Sequence, residues 1–249
     1  MPSGVIAFTV SGQRERYLRE SLGSWGKARG LRDWHLLFSL EPCRKTFPVG
    51  DFTQWAHRVF GSAEVVVSDT PLGCLRNTRR AMELAFGRGA EFAILAEEDV
   101  LVSDDVLEYM TWARDSYAAD GEIVTVCGHA KSAARGGDHE VVRTGWFNPV
   151  IWGTWKDRWE SFIKPGWGGF EGNDQAWDHN LRMQIHDAGR CSLYPVRSRS
   201  FHIGQISTNH SGQLAEFFYP ASVSETFGAH REPQDYAEIP FTRKLGLLV

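Results

Sequence analysis

The chain has 249 residues, 42% of them hydrophobic and 23% charged, with a net charge of −4. That is an ordinary globular composition, long enough for one large α/β domain or two small ones, and it carries no global basic footprint, so nucleic-acid binding would need a local patch. No run approaches the ~20 apolar residues of a membrane-spanning helix, and Val5–Val10 is too short for the apolar core of a secretion signal.

The elements alternate through the first half. Val5 to Val10 reads as a strand, and Arg14 to Gly26 as a helix with Leu18 and Leu22 on one face. Trp34 to Leu40 and Val65 to Val67 read as strands, Leu75 to Phe86 as a helix, and Phe92 to Ala96 as a fourth strand. A helix from Val106 to Tyr117 and a strand from Ile123 to Cys127 follow. Strands separated by helical patterns predict a mostly parallel, doubly wound sheet. After Gly128 the texture changes. Lys131 to His139 reads as a loop, and Val141 to Trp177 is rich in Trp and Gly, holding six of the ten tryptophans. A helix is expected from Gln175 to Ala188, an extended stretch from Ser192 to His202, and a tail from Gln205 to Val249 that wraps the body or covers the site. Cys43, Cys74, Cys127 and Cys191 form no C-x-x-C pair, which argues against structural zinc. Without a secretion signal they read as reduced thiols of a cytoplasmic protein.

The chemistry concentrates at Glu97-Glu98-Asp99, which follows the apolar run Phe92 to Ala96. Open α/β sheets bind ligands beyond the carboxyl ends of their strands. Carboxylate oxygens there suit a hard cation, Mg²⁺ or Mn²⁺, bridging to a nucleotide diphosphate. The same acids also read as a charged turn before the next helix, with Ser103 or Asp104 as its N-cap.

The stretch from Ala93 through Glu97-Glu98-Asp99 to Val102 and on through Asp105 to Tyr109 resembles the metal-site region of GT-A glycosyltransferases, N-acetylglucosaminyltransferase I in particular. The resemblance extends upstream through Arg76 to Ala81, and returns at Trp177-Asp178, Gly189-Arg190, Pro195, Ser198-Arg199 and Gly204. It implies a single α/β domain of GT-A type over residues 1–249, with a mostly parallel sheet and helices on both faces. Residues 1–128 would bind the nucleotide sugar, and 129–249 would bind the acceptor and supply the wrap. The cofactors implied are Mn²⁺ or Mg²⁺ and a UDP-sugar.

By the same resemblance Asp99 would coordinate the cation, Glu98 would sit near the donor ribose or sugar, and Glu97 would orient the base or the site. The family favours Asp in the middle position, and Glu98 is one methylene longer. The loop after the first strand (Thr9, Val10, Ser11, Arg14, Arg16) would meet phosphate and ribose. Glu41 matches an acid that contacts uracil, and Asn77 stands where the family places a His against the base. Asp178 matches the catalytic base of an inverting displacement, with Asp174 and Glu171 as alternatives in the preceding loop. For Asp174 and Asp178 a purely structural place at a helix amino terminus is the competing reading. Trp167, flanked by glycines, and Trp177 are candidates for acceptor binding, as is Arg199, with Trp167 the best candidate for an exposed or mobile platform. His202 and His210 lie where some GT-A enzymes place a metal or phosphate contact.

The acceptor is the least legible part. Small chains of this kind are similar to phage-encoded glycosyltransferases associated with TET-type oxygenases, which modify 5-hydroxymethylcytosine in DNA. That implies a DNA acceptor in a phage-infected bacterial host, with phosphate contacts from Lys131 and Arg135 or from Arg190, Arg197 and Arg199. A glycan or glycolipid is the alternative acceptor, and no membrane partner is expected. A nucleotidyltransferase would also use acids after a strand, but Ser11-Gly12-Gln13-Arg14 is a weak phosphate loop. A non-catalytic sugar- or nucleic-acid-binding module would have no need of both Asp99 and Asp178.

Overall fold

Apolar runs too short for helices and buried on both faces must pair within a sheet, and here they do. The computed structural model describes residues 4–11, 15–42, 49–61, 63–130, 136–204 and 231–240. Strands β1 (Gly4–Val10), β2 (Trp34–Leu40), β3 (Glu64–Val67) and β4 (Phe92–Glu97) form a parallel block in the order β3-β2-β1-β4. The sheet continues through β8 (Ile151–Trp155), β6 (Ile123–Cys127), β9 (Cys191–Pro195), β7 (Glu140–Thr144) and the two-residue β11 (Ala237–Glu238), giving nine strands. Strand β8 runs antiparallel to both β4 and β6, and β7 antiparallel to β9, so the sheet is mixed but mostly parallel. A separate two-stranded sheet pairs β5 (Val100–Val102) with β10 (Ser200–His202).

Helices cover both faces. On one, α1 (Glu15–Trp25), α2 (Val49–Phe60) and α4 (Val106–Ser116) pack Leu18, Leu22, Phe52, Leu107 and Met110 against Ile6, Phe8 and Phe38. On the other, α3 (Gly73–Gly87) and α6 (Trp177–Asp187) pack Met82, Phe86, Leu181 and Ile185 against Val5, Leu95 and Trp152. Each fully buried large apolar side chain contributes about 1.5–3 kcal/mol. A short helix, α5 (Lys156–Arg158), runs on through a π turn, Trp159–Ile163, and a 3₁₀ turn, Lys164–Gly166. Arg158 is buried there and donates to the carbonyls of Tyr117, Ala118 and Asp120 at 3.1, 2.8 and 3.2 Å, closing the carboxyl end of α4.

Several expectations change. Helix α2 was not foreseen, although Phe52, Ala56 and Phe60 recur at helical spacing. The Trp-rich stretch contains strands β7 and β8. The extended run from Ser192 to His202 divides into β9 and β10, which belong to different sheets. Of the expected wrap, residues 231–240 lie against the body, where Tyr236 packs on Tyr109 and Trp112 and β11 pairs with β7. The remainder, 205–230 and 241–249, lies outside the described residues.

Gly153 sits mid-sheet in β8, where an added Cβ would lie 2.5 Å from the Phe92 ring. Gly153→Ala should therefore cost about 1–3 kcal/mol of unfolding free energy, read as a lower urea midpoint with an unchanged slope.

Candidate active site at the carboxyl edge of the sheet

Register places the acidic triplet. Glu97 pairs with Thr9 at the end of the β1–β4 ladder, so Glu98 and Asp99 turn out beyond the carboxyl edge beside Val10 and Ser11. The Ser11 hydroxyl donates to Glu98 Oε1 at 2.8 Å. Glu98 and Asp99 are 7% and 1% exposed, and Glu97 is half-buried. Asp105 takes the N-cap position of α4, without a side-chain cap bond. Ser103 instead donates to Asp105 at 2.6 Å, and Asp104 pairs with Arg29 at 2.6 Å. The triplet is therefore no helix cap, and neither Ser103 nor Asp104 is the N-cap.

What faces the triplet is His202. Antiparallel pairing sets His202 against Val100, and the Ile203 N–H donates to the Asp99 carbonyl at 2.9 Å. The imidazole Nε2 then lies 3.3 Å from Asp99 Oδ2. Nδ1 accepts from the Gly204 N–H at 3.2 Å, which orients the ring. Glu97, Asp99 and His202 each bring one ligand atom to within 4.8 Å of the others. Gly204 closes the cradle: an added Cβ would lie 2.1 Å from Asp99 Oδ2. Two carboxylates and an imidazole suit Mn²⁺, and a backbone pressed this close to a carboxylate excludes any side chain at position 204. Of the two late histidines, His202 joins the acids, and His210 lies outside the described residues.

The amino terminus of α6 is brought to the same edge through Cys74. Protein crowded around this thiol, together with the charges of Glu97 and Glu98, pushes its pKa up to about 12, although one side of the residue is open to solvent. The Trp177 indole N–H contacts Cys74 Sγ at 3.1 Å, and Asp178 is the next residue in the first turn of α6. Asp178 is half-buried, whereas Asp174 and Glu171 are exposed. Glu171 adopts φ 49° in the turn before the helix.

The platform expected at Trp167 is placed differently. Trp167 is half-buried, stacks on Trp177 at 5.0 Å and 26°, and donates to the Leu75 carbonyl at 3.2 Å. Trp177 itself is 3% exposed. The open member of the six is Trp146, 42% exposed, with the Arg182 guanidinium 5.0 Å from its ring.

Around the expected base pocket, Val10 is buried and its carbonyl accepts from the Glu41 N–H at 2.9 Å. Burial raises the Glu41 pKa above its ordinary value, opposed by the N–H groups of Gly73 and Leu72 at the start of α3 and by Arg80. Asn77 is buried, with both amide ends turned to Ser39, accepting at 2.6 Å and donating at 3.1 Å. Arg16 is solvent-exposed and bonds Glu20 within its own helix, and Arg14 lies outside the described residues.

The arginines expected to meet phosphate or acceptor are engaged internally. Arg199 is sealed from solvent against Asp105, which removes it from any surface an acceptor could reach. Arg190 donates to the Gly121 carbonyl, and Arg197 pairs with Asp138 at 3.1 Å. Lys131 and Arg135 lie outside the described residues.

No protein-family model matches the chain, and no curated protein matches it in sequence. Solved structures do match. The mannosyltransferase PcManGT from Pyrobaculum calidifontis, in complex with GDP-Man and Mn²⁺, superposes with a TM-score of 0.55 at 15% identity, over 78% of this chain and 55% of that one. S. aureus TarS 1–349 gives 0.55 at 11% identity, over 81% and 61%. GalNAc-T7 with UDP, GalNAc and Mn²⁺ gives 0.57 at 12% identity, over 86% and 47%. This chain thus spans less than two thirds of the length of each. The likeness is one of fold: a single α/β domain of GT-A type with helices on both faces of a mostly parallel sheet, as expected from the sequence. It does not choose between the narrower resemblances to N-acetylglucosaminyltransferase I and to phage DNA glycosyltransferases. No helix among the described residues is long and apolar enough to cross a membrane.

With its pKa near 12, Cys74 stays a neutral thiol at pH 8. Iodoacetamide labelling mapped by mass spectrometry should find it about tenfold or more slower than a free cysteine, and Glu97→Gln should speed it by lowering that pKa.

Proposed function

We propose that this protein is a metal-dependent glycosyltransferase that moves a sugar from a nucleoside-diphosphate sugar, UDP-linked by the sequence resemblance, to an acceptor hydroxyl with inversion. The convergence of Glu97, Asp99 and His202 on one point, beside the amino terminus of α6, carries this reading. Three fold neighbours solved with Mn²⁺, a sugar nucleotide or both support it. A divalent cation held by Glu97, Asp99 and His202 would offset the charge of the departing diphosphate.

The chain's own groups divide the remaining work. Asp178 accepts the proton of the acceptor hydroxyl as its oxygen bonds the anomeric carbon and the bond from that carbon to the diphosphate oxygen breaks. Glu98, fixed by Ser11, faces the donor ribose or sugar. Glu41 lies at the end of β2, where a base edge would meet its carboxylate, and Asn77 acts on that region through Ser39. Trp177 holds the start of α6 against Cys74 and so sets the height of Asp178.

For the acceptor, the resemblance favours the hydroxymethyl group of 5-hydroxymethylcytosine in phage DNA, with a glycan hydroxyl as the alternative. Because Arg190, Arg197 and Arg199 are engaged within the protein, DNA phosphates would depend on Lys131 and Arg135. Release of UDP stimulated by hydroxymethylated but not by plain DNA supports the first acceptor. Release stimulated only by glycans selects the second.

Two variants test the chemistry. Asp178→Asn should lower kcat by about 10²–10⁴ while the donor KM changes less than about threefold. Unchanged turnover would remove Asp178 from the base role. Gly204→Ala should weaken Mn²⁺ binding by about tenfold or more, measured well below a Tm that also falls, because its methyl group meets Asp99 and His202.

A further inference from the structure

We infer that Asp105 is a positioning residue for His202, acting through the buried Arg199, and that the segment beginning at Arg231 is tied to the same pair. The inference rests on the metal reading proposed above.

His202 ends a strand of three residues whose strand partner among the described residues is the equally short β5. Such a ribbon is marginal by itself, and a one-residue slip would turn His202 to the opposite face. Its register needs an anchor, and Arg199 supplies one immediately before β10. The Arg199 N–H donates to the Gly128 carbonyl at 2.8 Å, and its carbonyl accepts from the Ser103 N–H at 3.0 Å. Its side chain reaches Asp105, Nε to Oδ2, at 2.7 Å, with both side chains at most 1% exposed. Arg199 also donates to the carbonyls of Arg197 and Asp138. The Asp99 carbonyl holds the other end of the strand through the Ile203 N–H. His202 is thus fixed between two anchors, one on the proposed metal ligand itself and one on Asp105.

Asp105 is also where the later chain returns. Tyr236 donates to its Oδ2 at 3.3 Å, and Arg231 Nη1 lies 3.7 Å from its Oδ1. Asp105 is the carboxylate that the two guanidiniums share, and Arg231 Nε also lies 3.5 Å from Asp138 Oδ1; burial and the neighbouring Arg199 lower the Arg231 pKa. Neutralising Asp105 would remove the carboxylate that holds the buried Arg199 guanidinium, and the cheapest relief is movement of the segment that carries Arg199. That segment leads directly into the strand bearing His202.

The test is Mn²⁺ binding to the whole chain, followed by the loss of the free-ion EPR signal, well below the Tm of every variant. Arg158→Met serves as the control, because Arg158 is a buried arginine at the far end of α4. Asp105→Asn should weaken Mn²⁺ binding about tenfold or more, and Arg231→Gln should weaken it by a smaller factor. Arg158→Met should lower the Tm but leave affinity within about twofold. If Asp105→Asn does not fold, Arg199→Lys, which keeps the charge but not the planar fork, should still weaken binding several-fold. Wild-type affinity in Asp105→Asn, or a loss no greater than in Arg158→Met, overturns the inference while leaving the metal reading intact. No Mn²⁺ binding by the wild type overturns both.

Discussion

A buried carboxylate needs a partner, and at the carboxyl edge of this sheet the partner of Asp99 is His202. The contact joins the turn after β4 to a strand contributed by the distant second half of the chain. The rest of the edge is arranged around it. Gly204 is pressed against the same carboxylate, and Ser11 steadies the neighbouring Glu98. Two acids and an imidazole thus come within 4.8 Å of one another, a donor set that suits a divalent cation.

The two faces of the sheet serve this edge differently. On one face, Ser21 of α1 donates to the Val100 carbonyl at 2.7 Å, and α4 carries Asp105, so the small β5–β10 sheet is held to the body from below. On the other, a run of aromatic contacts from Phe86 through Trp159 and Trp167 to Trp177 leads to the start of α6. Glu97, Asp99 and His202 are thus fixed from one side and the start of α6 from the other, where Trp177 contacts Cys74.

Much of this was legible in the sequence. Strands β1, β2, β4 and β6 are continuous apolar runs because both of their faces are covered, and the acids had to emerge where β4 ends. Strand β8 was hidden because Trp-Gly-Thr-Trp shows no alternation, although every residue of it is buried. The pairing of His202 with Asp99 comes from register in a separate small sheet, which no local pattern encodes. Arg199 beside Arg197 read as an acceptor or phosphate contact, since composition cannot tell an accessible arginine from one sealed against a carboxylate. The glycines around Trp167 suggested mobility, but Gly166 and Gly169 are close packed: a Cβ at either would lie 2.5 Å from Gln184 or Asn173.

The most direct test is a crystal structure grown with UDP and Mn²⁺, with anomalous diffraction measured at the manganese edge. The account predicts one strong anomalous peak bonded to Asp99, with Glu97 and His202 around it and the diphosphate on its open side. A peak elsewhere, or UDP bound in its pocket with no metal between the acids and the diphosphate, would contradict it.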